Sequence, residues 1–86
     1  MTTALVTGGN RGIGLEICRQ LGKLGMTVLL GARDAAAGAT AAAGLHGDGI
    51  DVRAVTLDVA KTSSVTACAR ALKKEGVTVD VLVNNA

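Results

Sequence analysis

The residues whose types and spacing could do chemistry are a cluster of glycines near the start of the chain, Thr7-Gly8-Gly9-Asn10-Arg11-Gly12-Ile13-Gly14. An apolar stretch typical of a β-strand precedes this cluster, and a stretch with helical periodicity follows it. A glycine-rich turn leading into a helix directs backbone N–H groups and the positive end of the helix dipole at one point, where a phosphate can bind. Because glycines also mark ordinary turns, the cluster alone leaves a plain turn as the alternative.

The order of motifs along the chain resembles that of the short-chain dehydrogenase/reductase family. The glycine cluster has the form Thr-Gly-x-x-x-Gly-Ile-Gly. Three further features follow it in the family's order, namely Arg33, Leu57-Asp58-Val59 and Asn84-Asn85-Ala86. The resemblance covers nearly the whole chain, and residues 4–16 are most similar to the carbonyl-reductase group of the family.

Short apolar stretches alternate with helical patterns along the whole chain. We predict strands at Thr3–Thr7, Thr27–Ala32, Asp51–Leu57 and Val79–Val83, and helices at Ile13–Leu24, at Asp34–Leu45 and from a cap at Thr62 or Ser63 to Glu75. This alternation predicts an α/β fold with a parallel sheet and right-handed crossovers. The resemblance implies a Rossmann-like doubly wound sheet, of which residues 1–86 form the N-terminal βαβαβαβ portion with strand order 3-2-1-4.

Two of the helical patterns predict which side chains face the core. The first helix has Ile13, Ile17, Leu21 and Leu24 on one face, and the third has Val65, Cys68, Ala69 and Leu72. Gly25 is expected to end the first helix. Cys18 and Cys68 lie on these inward faces without metal-ligand spacing, so we expect buried free thiols and no metal site.

Composition limits the classes of partner. The 86 residues carry a net charge of +2, which is too small to indicate binding to nucleic acid or to an anionic membrane. No apolar run approaches the roughly 18 residues of a membrane span, so we expect a cytoplasmic protein. The single histidine, His46, lies in a glycine-rich segment and is expected to be solvated.

The choice of cofactor depends on the end of the second strand. A dinucleotide site places an acidic residue there for the 2′-hydroxyl of NAD, or a basic residue for the 2′-phosphate of NADP. This chain has Ala32 at that position and Arg33 directly after it. Asp34 is better placed as the N-cap of the next helix. With Arg11 in the glycine turn, Arg33 indicates NADP(H), the alternative for either arginine being a solvated surface charge.

The resemblance also implies individual roles for site residues. The residues implied to bind the cofactor are Gly8, Asn10, Arg11, Gly12, Ile13, Gly14, Arg33, Asp58, Val59, Asn84 and Ala86. Asp58 is similar to the family's residue that binds the adenine amino group, the alternative being a turn or helix-entry aspartate. Asn84 is similar to an asparagine that supports the sheet and the active site, the alternative being a loop amide. Thr7 is expected to bond to backbone beside the glycine turn.

Family members reduce carbonyl compounds with a Tyr, a Lys and a Ser that follow the Asn-Asn-Ala-Gly motif, and this chain contains no Tyr. The resemblance therefore implies the cofactor-binding portion of an oxidoreductase acting on a carbonyl or alcohol substrate, inactive alone and without catalytic residues of its own. A stand-alone nucleotide-binding module and a truncated, non-functional gene product are the alternatives. The fourth strand is expected at an open sheet edge, where the chain could self-associate.

Overall fold

The computed structural model describes residues 2–85, which form one layered α/β unit. The strands are β1 (Thr3–Val6), β2 (Thr27–Ala32), β3 (Val52–Thr56) and β4 (Val81–Val83), and the helices are α1 (Gly12–Lys23), α2 (Ala35–Gly47) and α3 (Thr62–Lys74). All strand pairs are parallel, and their order is β3-β2-β1-β4. The predicted fold class and strand order are confirmed.

The core consists of two apolar clusters, one on each face of the sheet. On the face covered by α1 and α2, the buried side chains are Val6, Cys18, Val28, Leu30, Ala32, Ala42, Leu45, Ile50 and Val52. On the other face, Leu5, Leu29 and Leu57 pack against Cys68 and Leu72 of α3. Since both faces of the central strands are covered, their sequences are continuously apolar rather than alternating. Both cysteines are buried free thiols, as predicted.

The predicted inward face of α1 is wrong at its two ends. Ile13 is 76% exposed and Leu24 is 75% exposed. Helix α1 meets the sheet through its middle, where Cys18 is buried and Ile17 and Leu21 are partly buried against the core. Ile13 lies in the first turn and Leu24 is the C-cap residue, so both side chains extend beyond the covered surface.

The predicted face of α3 is also only partly correct. Cys68 and Leu72 are buried, whereas Val65 is 43% exposed and Ala69 is exposed as well. Helix α3 contacts β3, and no other described helix lies on this face of the sheet. The side of α3 that faces β4 therefore remains open.

The observed helix ends can be compared with the caps that the sequence predicts. The Asp34 carboxylate accepts hydrogen bonds from the backbone N–H groups of Ala36 (2.9 Å) and Ala37 (3.2 Å), so its predicted role as N-cap is confirmed. The predicted cap of α3 is wrong, because the N-cap residue is Lys61 and no side chain caps that end. Gly25 follows the end of α1 with a positive φ of 91°, as expected for a helix stop.

Strand β4 is shorter than predicted because Asp80 interrupts the strand pairing. Its carboxylate accepts a hydrogen bond from the Thr3 backbone N–H (2.9 Å), and its own N–H donates to the Thr3 carbonyl (2.8 Å). A side chain therefore replaces a backbone partner here, and the register begins only at Ala4 and Val81.

His46 lies near the end of α2 and is exposed, as predicted, but its ring is not free. The Nε2 atom lies 2.5 Å from the carbonyl oxygen of Val52, at the start of β3. The ring therefore joins the end of the helix to the sheet. None of the helices within residues 2–85 is long and apolar enough to cross a membrane.

Candidate functional site

The glycine turn joins the carboxyl end of β1 to the start of α1. Gly8 and Gly12 have φ values of 61° and 60°, a backbone conformation that side chains with a Cβ rarely adopt. The Gly9 N–H donates to the carbonyl of Gly31 on the neighbouring strand (2.9 Å), so the turn is tied to β2. The chain can reverse direction here within a few residues because glycines occupy these positions.

Gly14 serves a different purpose, which is close packing. A Cβ on Gly14 would lie 2.1 Å from the carbonyl oxygen of Gly8 and 2.6 Å from Nδ2 of Asn85. The first turn of α1 therefore rests directly on the glycine turn. Any side chain at this position would push the helix away from the turn.

The N-terminus of α1 is open to an anionic ligand. Its N-cap residue is Arg11, whose side chain makes no capping hydrogen bond, and no acidic residue lies in the first turn. The first N–H groups of a helix have no partner within the helix, so they can bind an anion. The N-terminus of α2 differs, because the Asp34 carboxylate already occupies two of its N–H groups.

Asn85 braces the turn from the end of β4, and the sequence prediction did not assign it a role. Its Nδ2 donates to the carbonyl of Gly8 (3.3 Å), and its backbone N–H donates to Oγ1 of Thr7 (2.9 Å). The Thr7 hydroxyl also donates to the carbonyl of Val83 (3.4 Å). Thr7 thus bonds to backbone, as predicted. The sequence could have indicated a role for Asn85, because it follows Asn84 in the same motif.

A cleft of about 590 Å³ opens over the glycine turn, at the carboxyl ends of the strands. Its lining residues are Gly8, Asn10, Arg11, Gly12, Arg33, Leu57, Asp58, Val59, Ala60 and Asn85. Seven of these were predicted as cofactor-binding residues, and the structure brings them together from three separate loops. Leu57, Ala60 and Asn85 are additions.

Three predicted site residues do not line the cleft, and a fourth lies outside the described residues. Ile13 and Gly14 belong to the first turn of α1, and Asn84 follows β4, but none of the three lines the cleft. Ala86 lies outside the described residues. Gly14 nevertheless contributes indirectly, since its missing side chain lets the helix approach the turn.

Two positively charged side chains line the cleft. Arg11 and Arg33 are both exposed, and within residues 2–85 neither guanidinium forms an ion pair. Ala32, which precedes Arg33, is only 2% exposed and presents no hydrogen-bonding side chain. The end of β2 is therefore suited to a phosphate rather than to a hydroxyl that requires an acceptor.

Asp58 also lines the cleft, and three hydrogen bonds hold it there. Its Oδ1 accepts from the Ala60 N–H (3.0 Å), and its carbonyl accepts from the Lys61 N–H (3.0 Å). Its own N–H donates to Oγ of Ser64 (2.9 Å). Within residues 2–85, its second carboxylate oxygen, Oδ2, receives no hydrogen bond, so it can accept one from a ligand.

The two thiols are unsuited to nucleophilic chemistry. Burial raises the pKa of Cys18 to about 11 from 9.0, with a smaller opposing effect from a backbone hydrogen bond. Burial also raises the pKa of Cys68, opposed by the positive charge of Arg53. Both are therefore protonated at neutral pH. Within residues 2–85, no group of three or more His, Cys, Asp or Glu could hold a metal ion.

Comparison with known proteins connects this geometry to a family. A family model described as short chain dehydrogenase matches residues 2–86. Carbonyl reductase (NADPH) 1 from Pongo abelii is 47% identical over 87 residues, which span 100% of this chain and 31% of that protein.

Solved structures agree with this comparison. Menthone neomenthol reductase from Mentha piperita superposes with a TM-score of 0.92 at 42% identity, over 99% of this chain and 31% of that one. Actinorhodin polyketide ketoreductase, solved with NADPH, gives a TM-score of 0.90 at 41% identity, over 99% of this chain and 33% of that one. The chain therefore spans about a third of the length of these relatives.

Proposed function

The chain belongs to the short-chain dehydrogenase family, and on that premise we propose that it forms the NADP(H)-binding portion of a carbonyl-reductase-like oxidoreductase. The observation that carries this proposal is the placement of Arg11 and Arg33 in one cleft with the uncapped N-terminus of α1. Two guanidinium groups and a row of free backbone N–H groups suit a ligand with several phosphates.

The residues of the cleft fit a phosphorylated dinucleotide. Gly8 and Gly12 have no side chains to obstruct the start of α1, so a pyrophosphate can approach the backbone of the turn closely. In this proposal Arg33 and Arg11 bind the 2′-phosphate of the adenine ribose. In the same proposal Asp58 and Val59 receive the adenine ring, with Oδ2 of Asp58 as an acceptor for its amino group.

The chemistry of the reaction divides between the cofactor and the protein. The nicotinamide supplies or accepts the hydride, which moves between it and a carbonyl or alcohol carbon. The residues of this chain bind and orient the adenosine and pyrophosphate parts of the cofactor. Reduction also requires a proton donor, and this chain has no tyrosine to act as one. We place that donor, and the small-molecule substrate site, outside these 86 residues, so these residues alone are expected to be inactive.

The test is a change in cofactor preference when the charge at the end of β2 is reversed. Charge-assisted hydrogen bonds contribute about 1.5–3 kcal/mol each, so Arg33→Asp should weaken NADPH binding by roughly 10- to 100-fold. NADH binding should stay the same or improve, because an acidic residue can accept a hydrogen bond from its 2′-hydroxyl. Binding is measured by titration with the fluorescence of the reduced nicotinamide.

The matched control is Arg70→Asp, which makes the same charge change at an exposed residue of α3 that does not line the cleft. It should leave the ratio of NADPH to NADH affinity unchanged. An Arg33→Asp protein that keeps the parent ratio would contradict the proposed NADP(H) preference.

We also propose that this chain self-associates through the edge of the sheet formed by β4. An apolar groove of about 530 Å³ lies between α3 and β4, lined by residues that include Leu5, Val65, Leu72, Val79 and Leu82. Leu82 is 61% exposed, and β4 is an outer strand of the sheet, paired on one side to β1. Unpaired strand edges beside apolar surface attract other chains. We therefore expect the isolated 86-residue chain to associate through this edge, and sedimentation as a monomer at tens of micromolar would contradict it.

The remaining expectations stay predictions. They are a cytoplasmic location, the absence of nucleic-acid and membrane partners, and the cofactor-binding roles of Asn10, Ile13, Gly14, Asn84 and Ala86.

A further inference from the structure

The first turn of α3 contains three hydroxyl residues in sequence, Thr62, Ser63 and Ser64, and only Ser64 bonds to the loop that lines the cleft. Ser64 is half-buried, and its Oγ accepts the hydrogen bond from the Asp58 N–H at 2.9 Å. Thr62 and Ser63 are exposed. Within residues 2–85, neither of their side chains makes a hydrogen bond, so the interaction of Ser64 is specific to its position.

The hydrogen bond between Asp58 and Ser64 is not a helix cap, because Ser64 lies inside α3 and its Oγ accepts from Asp58, which precedes the helix. It instead joins α3 to the loop that carries Asp58. The other two hydrogen bonds to Asp58 come from Ala60 and Lys61, which belong to that same loop. Those bonds shape the loop internally, whereas the Ser64 bond connects it to a fixed element of the fold.

We infer that Ser64 is a positioning residue for the adenine end of the cleft. Its hydroxyl holds the Asp58 backbone in place and so orients the free carboxylate oxygen toward the base. The inference rests on the proposed function, because it assumes that an adenine nucleotide occupies the cleft.

The positioning role of Ser64 can be distinguished from a merely structural role by comparing the binding of adenine with that of hypoxanthine. In hypoxanthine the 6-amino group of adenine is replaced by a carbonyl oxygen, which cannot donate to a carboxylate and is repelled by it. A correctly held Asp58 should therefore favour NADPH over its hypoxanthine analogue. A loosened Asp58 should lose part of this preference, while contacts to the phosphates persist.

The experiment compares the affinities of NADPH and its hypoxanthine analogue for the parent chain and for Ser64→Ala, by fluorescence titration. Loss of one hydrogen bond corresponds to a factor of about 3–10, so the affinity ratio should fall by that factor in Ser64→Ala. Ser64→Thr keeps the hydroxyl and should restore the ratio. Ser63→Ala, one residue away, is the matched control and should keep the parent ratio.

Each result that would overturn the inference can be told apart from the others. A parent chain that does not bind NADPH overturns the proposed function, and the role of Ser64 with it. A parent that binds both ligands equally overturns the adenine contact of Asp58. An unchanged ratio in Ser64→Ala, or equal weakening of both ligands, overturns the positioning role alone. If Ser64→Ala does not fold, Ser64→Cys replaces it, because a thiol of similar volume is a weak acceptor and the same fall is expected.

Discussion

Substituting Gly14 by alanine tests whether close contact between α1 and the glycine turn shapes the site. The added Cβ would lie 2.1 Å from the Gly8 carbonyl oxygen, whereas real Cβ contacts are rarely shorter than 3.0 Å. Helix and turn must therefore separate by about 1 Å, or the Asn85 side chain and the turn must both shift. The nearest atom belongs to backbone, so a side-chain rotation cannot relieve the contact.

The magnitude follows from comparison with a second glycine. Gly44 lies in α2, is exposed, and would place its Cβ in open space. Gly44→Ala should raise the free energy of unfolding by about 1 kcal/mol, because alanine is the better helix former. At Gly14 the same gain is opposed by an overpacking cost of roughly 1–3 kcal/mol. The two variants should therefore differ by about that cost.

The assay is urea denaturation followed by far-ultraviolet circular dichroism, since the chain has no aromatic residue to serve as a fluorescent probe. NADPH titration of the same samples should show weaker binding for Gly14→Ala and parent affinity for Gly44→Ala. The reasoning fails if Gly14→Ala is as stable as Gly44→Ala and binds NADPH like the parent. That result would mean that the turn is free to move.

Three further predictions concern stability. The pKa of Cys18 is about 11 in the folded chain, against 9.0 for an unburied thiol. The protonated thiol therefore contributes fully to the free energy of unfolding below pH 9, and this contribution is lost as the pH rises to about 11. The loss should reach about 2–3 kcal/mol in urea titrations across that range, and Cys18→Ala should lack it. Asp34→Ala should cost about 1 kcal/mol by removing the cap of α2, with Asp34→Asn close to the parent in thermal melts. Leu30→Ala, in the core, should cost about 2–5 kcal/mol, whereas Leu24→Ala, which is 75% exposed, should change the urea midpoint little.

Local sequence patterns predicted the features that depend on neighbours in the chain. The Asp34 cap was predictable because its carboxylate reaches N–H groups two and three residues away. The stop at Gly25 was predictable for the same reason. The placement of Arg33 after an apolar strand followed from strand length alone, and the structure brings it to the same cleft as Arg11.

Side-chain exposure was less predictable, because it depends on what covers each element. Ile13 and Leu24 continue the apolar period of α1, but they lie in its first turn and at its C-cap, where both side chains are exposed. Val65 and Ala69 have the correct spacing for burial, yet no described element covers that side of α3. Periodicity indicates which side chains share a face, and only packing decides whether that face is buried.

By itself, then, the sequence determined the α/β class, the glycine turn and the charges beside it, because apolar period, backbone freedom and residue type are local properties. Tertiary structure alone decided that Asn85 braces Gly8, that Gly14 must lack a side chain, and that Ser64 holds Asp58. The two asparagine bonds join residues more than seventy positions apart. Such contacts depend on how strands and helices dock in three dimensions, and no spacing along the chain encodes them.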